Sequence, residues 1–256
     1  MKTTLGYQTL GVGHEPLMLV HDWFSDCSSY EYALPYLNTE HFSFAFVDLR
    51  GYGKSRDIPG ECSVEEAAQD LLNVADKLKW SRFHLAGHSM SALVAQYVAL
   101  IAPERLKSLT LTTPVPACGS PVPQEMQAMI EMGARDNDMI AREIIHVMSG
   151  RRLGDEFVDL KLKRWRETSH EEARVAYFQT FTQTNFADQL AGSAIPCQVI
   201  VGDYDAEAHG KAMMAQTILT YFQSAELNHC ASGHFPMQET PPHFAFLLQD
   251  FCKRHS

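Results

Sequence analysis

The chain has 256 residues, 45 % of them hydrophobic and 20 % charged, values that suit one sizeable folded core and exclude a disordered or fibrous chain. Its net charge of −10 repels phosphate backbones and anionic lipid alike, so neither nucleic acid nor a membrane is an expected partner. Lys161, Lys163, Arg164 and Arg166 make the one dense basic cluster, and a solvated helix face accounts for it.

The first residues, Met1 to Tyr7, lack the apolar run of a secretory leader, and Leu17 to Val20 is far too short to span a bilayer. A cytoplasmic protein is expected. Residues 3 to 11 read as an edge strand and Leu17–Val20 as a fully buried one, running directly into the polar and aromatic loop His21, Asp22, Trp23, Phe24, Ser25. A loop at the carboxyl end of a buried strand lies where open α/β sheets place their ligands. A helix from about Ser29 to Leu37 leads to a second buried strand, Phe42 to Asp48, and then to the loop 49–55.

Ser63 and Glu66 form a capping-box pattern for a helix running to about Leu78, with Ala67, Leu71, Leu72, Ala75 and Leu78 on one side. Phe83 to Ala86 reads as a short buried strand, Gly87 as a turn residue, and Ala92 to Ile101 as a helix of apolar and small side chains. Ser89 stands at the bend. Small residues two before and two after it, Gly87 and Ser91, let the chain turn sharply enough to thrust the serine hydroxyl out of the strand's end.

Leu106 to Thr113 is another buried strand, and the breaker-rich stretch from Pro114 to Pro123 separates it from residues 124–186, which read as helical throughout. Alternation resumes with the strand Pro196–Gly202, and a helix from about Pro242 to Lys253 closes the chain. Strands alternating with helices predict a mostly parallel central sheet flanked by helices, an α/β fold. Its core comprises 1–115 and 190–256, with 116–189 inserted as a helical cap. The cysteines (Cys27, Cys62, Cys118, Cys197, Cys230 and Cys252) are scattered with no C-x-x-C, which argues for reduced thiols and against a zinc ribbon.

A serine hydroxyl needs a neighbouring base to become nucleophilic. His234, on the turn Ser232, Gly233, His234, Phe235, Pro236 ahead of the last helix, can swing an imidazole over the sheet edge. His88 adjoins Ser89, but side chains diverge on a sharp elbow, so packing or orienting the turn suits it better. Asp203 and Asp205 both follow the strand ending at Val201. His229 and His234 lack a third ligand at a sensible spacing, so no metal and no cofactor is expected.

With Asp48 to Ser55, Gly87 to Ser91, Gly202 to Asp205 and Ser232 to Pro236 in this order, the chain resembles the α/β-hydrolase superfamily, in particular its small capped esterases, enol-lactonases and perhydrolase-like enzymes. The resemblance implies Ser89 as nucleophile, His234 as base and Asp205 as the acid that orients it, with Asp203 left as a turn former. It also implies an oxyanion hole built from the backbone N–H groups of Trp23 and Met90. Two positions depart from the pattern: Asp22 replaces the usual glycine after His21, putting a carboxylate beside the oxyanion site, and Ser91 replaces the second elbow glycine.

The expected activity is hydrolysis of a small, mostly uncharged ester or lactone through an acyl-enzyme. Carbon–carbon bond hydrolysis, perhydrolysis, and a slow, ligand-sensing receptor role are the alternatives on the same residues. Met126, Met129, Trp165 and Phe178 are pocket candidates, together with Trp23 and Met90, although the cap's methionines and aromatics could equally pack its helices together. The expected partner is a small-molecule substrate, with homodimerisation left open.

Overall fold

The computed structural model describes residues 3–256; Met1 and Lys2, part of the stretch read for a leader, lie outside the described residues. Seven strands, β1 (Tyr7–Leu10), β2 (Glu15–Val20), β3 (Phe42–Val47), β4 (Phe83–His88), β5 (Leu106–Thr112), β6 (Cys197–Gly202) and β7 (Ala225–Cys230), form one sheet in the order β1-β3-β2-β4-β5-β6-β7. All neighbours are parallel except β1, which pairs antiparallel with β3 at the sheet edge.

The period-2 alternation of the central strands sorts their side chains onto two faces. Met18, Val20, Ala45, Val47, Leu85, Leu109, Leu111, Val199 and Val201 pack towards helices α1 (Val64–Lys77) and α2 (Met90–Ile101). Leu17, Leu19, Phe42, Phe44, Phe46 and Ile200 pack on the other face with Phe244 and Leu248 of the closing helix. Both faces are covered, which is why these strands read as continuous apolar runs.

The Ser63 hydroxyl caps α1 by accepting from Glu66 N at 3.2 Å, worth about 1 kcal/mol. Glu66 returns its carboxylate to Cys62 N rather than to Ser63 N, so the box is displaced by one residue. The segment expected as a helix from Ser29 is a 3-10 helix, Cys27–Tyr36; it contains Pro35, which has no N–H to donate to an α-helical ladder. β4 continues through Gly87 and His88, so the turn falls at Ser89 itself.

Four helices stand between β5 and β6: α3 (Gln124–Arg135), α4 (Asp138–Met148), α5 (Asp155–Thr168) and α6 (Glu171–Gln183), followed by the single turn α7 (Ala187–Leu190). The buried amide of Gln96 holds the chain entering them, bonding Val115 O and Ala117 N. After β6 come α8 (Lys211–Gln216) and α9 (Ile218–Tyr221); after β7 come α10 (Pro236–Glu239) and α11 (Pro241–Arg254). The sequence reading did not single out β7. Its residues, Ala-Glu-Leu-Asn-His-Cys, are largely polar and only its last is buried, as suits the outer strand of the sheet.

Candidate active site

The carboxyl ends of five neighbouring strands converge on one point. β4 delivers Ser89, the loop after β2 delivers residues 21–24, β5 ends at Thr112 just before Thr113, and the turns after β6 and β7 carry Asp205 and His234. Ser89 has φ 55° and ψ −113°, a conformation that costs a non-glycine residue about 1–3 kcal/mol. The turn is tight because Gly87 has no side chain: a Cβ there would come within 2.5 Å of Ser91 O. Ser91 replaces the customary elbow glycine usefully, since its hydroxyl donates to His21 O and ties the elbow to the loop after β2.

His234 Nε2 lies 2.8 Å from Ser89 Oγ, and its Nδ1 lies 2.7 Å from Asp205 Oδ2. Asp205 Oδ1 accepts from Ala206 N at 2.7 Å, so both carboxylate oxygens are occupied and the side chain is fixed. The His234 backbone is clamped as well. Its N–H donates to Met148 O at 2.8 Å, and its carbonyl accepts from His88 Nε2 at 2.7 Å and Thr113 Oγ1 at 3.1 Å. His88 thus orients the turn that carries His234. Burial is the largest influence on both members of the His234–Asp205 pair, disfavouring imidazolium and carboxylate; the Asp22 charge works the other way on His234, and His209 and the Ala206 N–H do so on Asp205. The resting imidazole is neutral, and its Nε2 can take a proton from Ser89.

The loop 21–24 is fastened from several sides. His21 Nδ1 donates to Asp22 O at 2.6 Å while its Nε2 accepts from Leu49 N at 3.0 Å, which sets the neutral tautomer. Trp23 Nε1 donates to Arg174 O on α6 at 2.8 Å, and Tyr52 Oη donates to Trp23 O at 3.1 Å. Met90 opens α2, where the first N–H groups have no acceptor within the helix, so its N–H is available beside Ser89.

A cavity of about 340 Å³ opens above Ser89, lined among others by Trp23, Val115, Met126, Met129, Ile144 and Phe178. Of the pocket candidates, Met126, Met129 and Phe178 line this cavity. Trp165 and Met90 do not: neither lines the cavity, and Trp165 is fully buried, its ring 4.6 Å from that of Trp23. Trp165 supports the wall from behind. His209, missed in the sequence although it follows Asp205 by four residues, lines the cavity with its ring 4.6 Å from His234 and its Nδ1 donating to Pro114 O at 3.1 Å. Asp203 is turned away and pairs with the exposed His229 at 3.1 Å. A wider open groove of about 840 Å³ beside β6 and β7 does not include Ser89 in its lining.

Of the basic cluster on α5, Lys163 is exposed as expected, but the other three members are not a solvated face. Lys161 is fully buried and pairs with Asp22 Oδ2 at 3.2 Å, Arg164 pairs with Glu31, and Arg166 reaches Asp138 and two carbonyls of α3. Burial is the largest single influence on the Asp22 carboxyl and pushes it up, but Lys161 and, after it, the neighbouring His88, His21 and His234 together outweigh it and hold the group down at about 2.

Burial also holds His88 down to about 3 and His209 to about 4, against an ordinary 6.5. Above pH 6.5 both are neutral in the folded and unfolded chains and contribute no pH dependence. Below 6.5 the unfolded chain takes up protons first, so stability falls as pH drops towards the folded values. The Tm is expected to be level from pH 8 to 7 and to decline between 6.5 and 5, before exposed carboxylates titrate. The Asp205 carboxyl, raised to about 7 by burial, takes up a proton in the folded chain and acts in the opposite sense, so the test is made in Asp205→Asn, where a level Tm across that lower window would contradict the neutral burial of these rings.

The sequence profile of the alpha/beta hydrolase fold matches residues 15–218, and the chain belongs to that family. A pimeloyl-[acyl-carrier protein] methyl ester esterase of Photobacterium profundum is 29 % identical over 262 residues, covering 99 % of this chain and 100 % of that one. The enol-lactonase of Burkholderia xenovorans superposes with a TM-score of 0.84 at 20 % identity, over 97 % of this chain and 96 % of its own. A bromoperoxidase of Bacillus anthracis superposes at 0.82 with 18 % identity, over 96 % and 94 %. Among the described residues no helix is long and apolar enough to cross a membrane.

Proposed function

We propose that the protein is a serine esterase cleaving a small, largely uncharged carboxylic ester or lactone through an acyl-enzyme. Ser89 Oγ attacks the carbonyl carbon while His234 Nε2 takes its proton, and the Trp23 and Met90 N–H groups receive the oxyanion. His234 then returns the proton to the leaving oxygen, and a water attacking the acyl-serine by the reverse sequence frees the acid. Asp205 holds the imidazole in the required tautomer. The observation that carries this reading is the unbroken hydrogen-bonded series Ser89–His234–Asp205 at the floor of an apolar cavity.

The substrate class follows from the lining. About 340 Å³ lies at the small end of ligand pockets, and among the described residues the one charged lining side chain, Glu143, is already paired with Arg151. Nothing in that lining neutralises a charged acyl group. The relative matched over its whole length is named as a methyl ester esterase, and ester cleavage is the chemistry this arrangement performs. Residues 116–189 act in this reading as the cap that sets chain-length preference.

A p-nitrophenyl ester series from acetate to octanoate, run with lactones and 1,5-diketones, tests the reading. Esters or lactones should turn over and diketones should not. Ile144→Trp, which fills the cavity from α4, is expected to lower kcat/KM for octanoate at least about tenfold relative to acetate, since each buried methylene contributes about 0.8 kcal/mol. Equal effects on both esters would remove the cap from the acyl site.

A further inference from the structure

Asp22 stands where a carboxylate should obstruct the proposed chemistry. Its carbonyl carbon is bonded to Trp23 N, the proposed oxyanion donor, and the side chain is wholly buried, so water cannot screen it. Among the described residues, the lysine held against it comes from 139 residues away in sequence: Lys161 on α5, itself wholly buried, with Nζ 3.2 Å from Asp22 Oδ2. Nζ also stands 4.2 Å from the centre of the Phe235 ring, beside His234. Two further polar neighbours touch the carboxylate without bringing a lysine or arginine charge to it. Ser29 Oγ donates at 3.4 Å, and His88 Nδ1, 4.0 Å away, has no hydrogen-bond partner, its proton lying on Nε2 towards His234 O.

We propose, resting on the esterase reading above, that Lys161 is a positioning residue for catalysis: its ammonium cancels the Asp22 carboxylate so that the adjacent Trp23 N–H faces a developing oxyanion without an opposing charge. The pair also joins α5 to the loop after β2. A clamp of that kind would hold the loop by contact alone; cancellation of charge makes a different prediction, because the two partners are then not equivalent. Removing the lysine leaves a bare buried anion beside the oxyanion. Removing the carboxylate leaves a buried lysine, which can shed its proton and become neutral.

The test is a double-mutant cycle on p-nitrophenyl acetate hydrolysis, with kcat and KM measured separately. K161M is expected to lower kcat about 10²-fold, the size of losing one oxyanion donor, with KM little changed. D22N should stay within about tenfold of wild type, and D22N/K161M likewise, so that the second substitution rescues the first. Loss of one partner of a buried pair is destabilising while neutral replacement of both is often tolerated. K161Q, which keeps a donor but no charge, therefore stands in where K161M does not fold. The double variant decides the matter even without either lysine single.

A double variant as slow as K161M, a D22N as slow as K161M, or a K161M as fast as wild type would each overturn the proposal. Labelling of the wild type by a fluorophosphonate separates the two levels. A wild type labelled at Ser89 together with an unrescued double variant sinks this inference alone, whereas an unlabelled wild type removes the esterase reading beneath it.

Discussion

Replacing Ser89 by alanine is expected to lower kcat/KM for p-nitrophenyl acetate by about 10⁴-fold or more while leaving the protein folded. The magnitude follows from the non-additivity of such constellations: without the nucleophile, the base and the orienting acid have no proton to move, and only binding and oxyanion donors still act. The fold should survive because the Ser89 backbone is held by its neighbours rather than by its hydroxyl. Ser89 N donates to Thr112 O at 2.9 Å, and its carbonyl accepts from Ala92 N and Val115 N. Unchanged turnover in this variant, with native circular dichroism, would place the chemistry elsewhere.

The second large effect is expected at Asp205, where asparagine preserves shape and removes charge. An amide NH2 facing Nδ1 favours the tautomer with its proton on Nε2, which then points a hydrogen at Ser89 Oγ instead of a lone pair. A loss of about 10⁴ in kcat is the expected order for that inversion. KM should move little, since Asp205 is absent from the lining of the cavity above Ser89. The Tm of Asp205→Asn should not fall sharply, because burial already disfavours the carboxylate there. A variant that retains a tenth of wild-type kcat would show that His234 is oriented by its clamped backbone and by His209 rather than by the acid.

Much of this was legible in the sequence, for identifiable reasons. Strands buried on both faces leave continuous apolar runs, so β2 to β6 could be read directly, and a strand–turn–helix with small residues around Ser89 is a local feature. Asp205 and His234 were placed by the resemblance, which relates segments that spacing alone does not bring together. What escaped is what depends on long-range packing. β7 lies at the edge of the sheet, half in water, and carries no apolar signature.

Lys161 was misread by its company in a basic run, yet the periodicity contained the warning. Val158, Leu162 and Trp165 are the buried residues of α5, and position 161 falls on the same stripe. The partner that makes a buried lysine tolerable, Asp22, lies in another part of the chain, and no local pattern links the two. Trp165 shows the converse error. It was offered as a pocket residue, but a second layer of aromatics, Trp23 and Phe24, stands between it and the cavity.

The most direct measurement is covalent: the native protein is treated with a fluorophosphonate, weighed intact, and digested to locate the adduct. The account predicts a single adduct per chain, on Ser89, that is absent from Ser89→Ala and slowed by His234→Ala. A native protein that acquires no adduct, or acquires one on another residue, would contradict it.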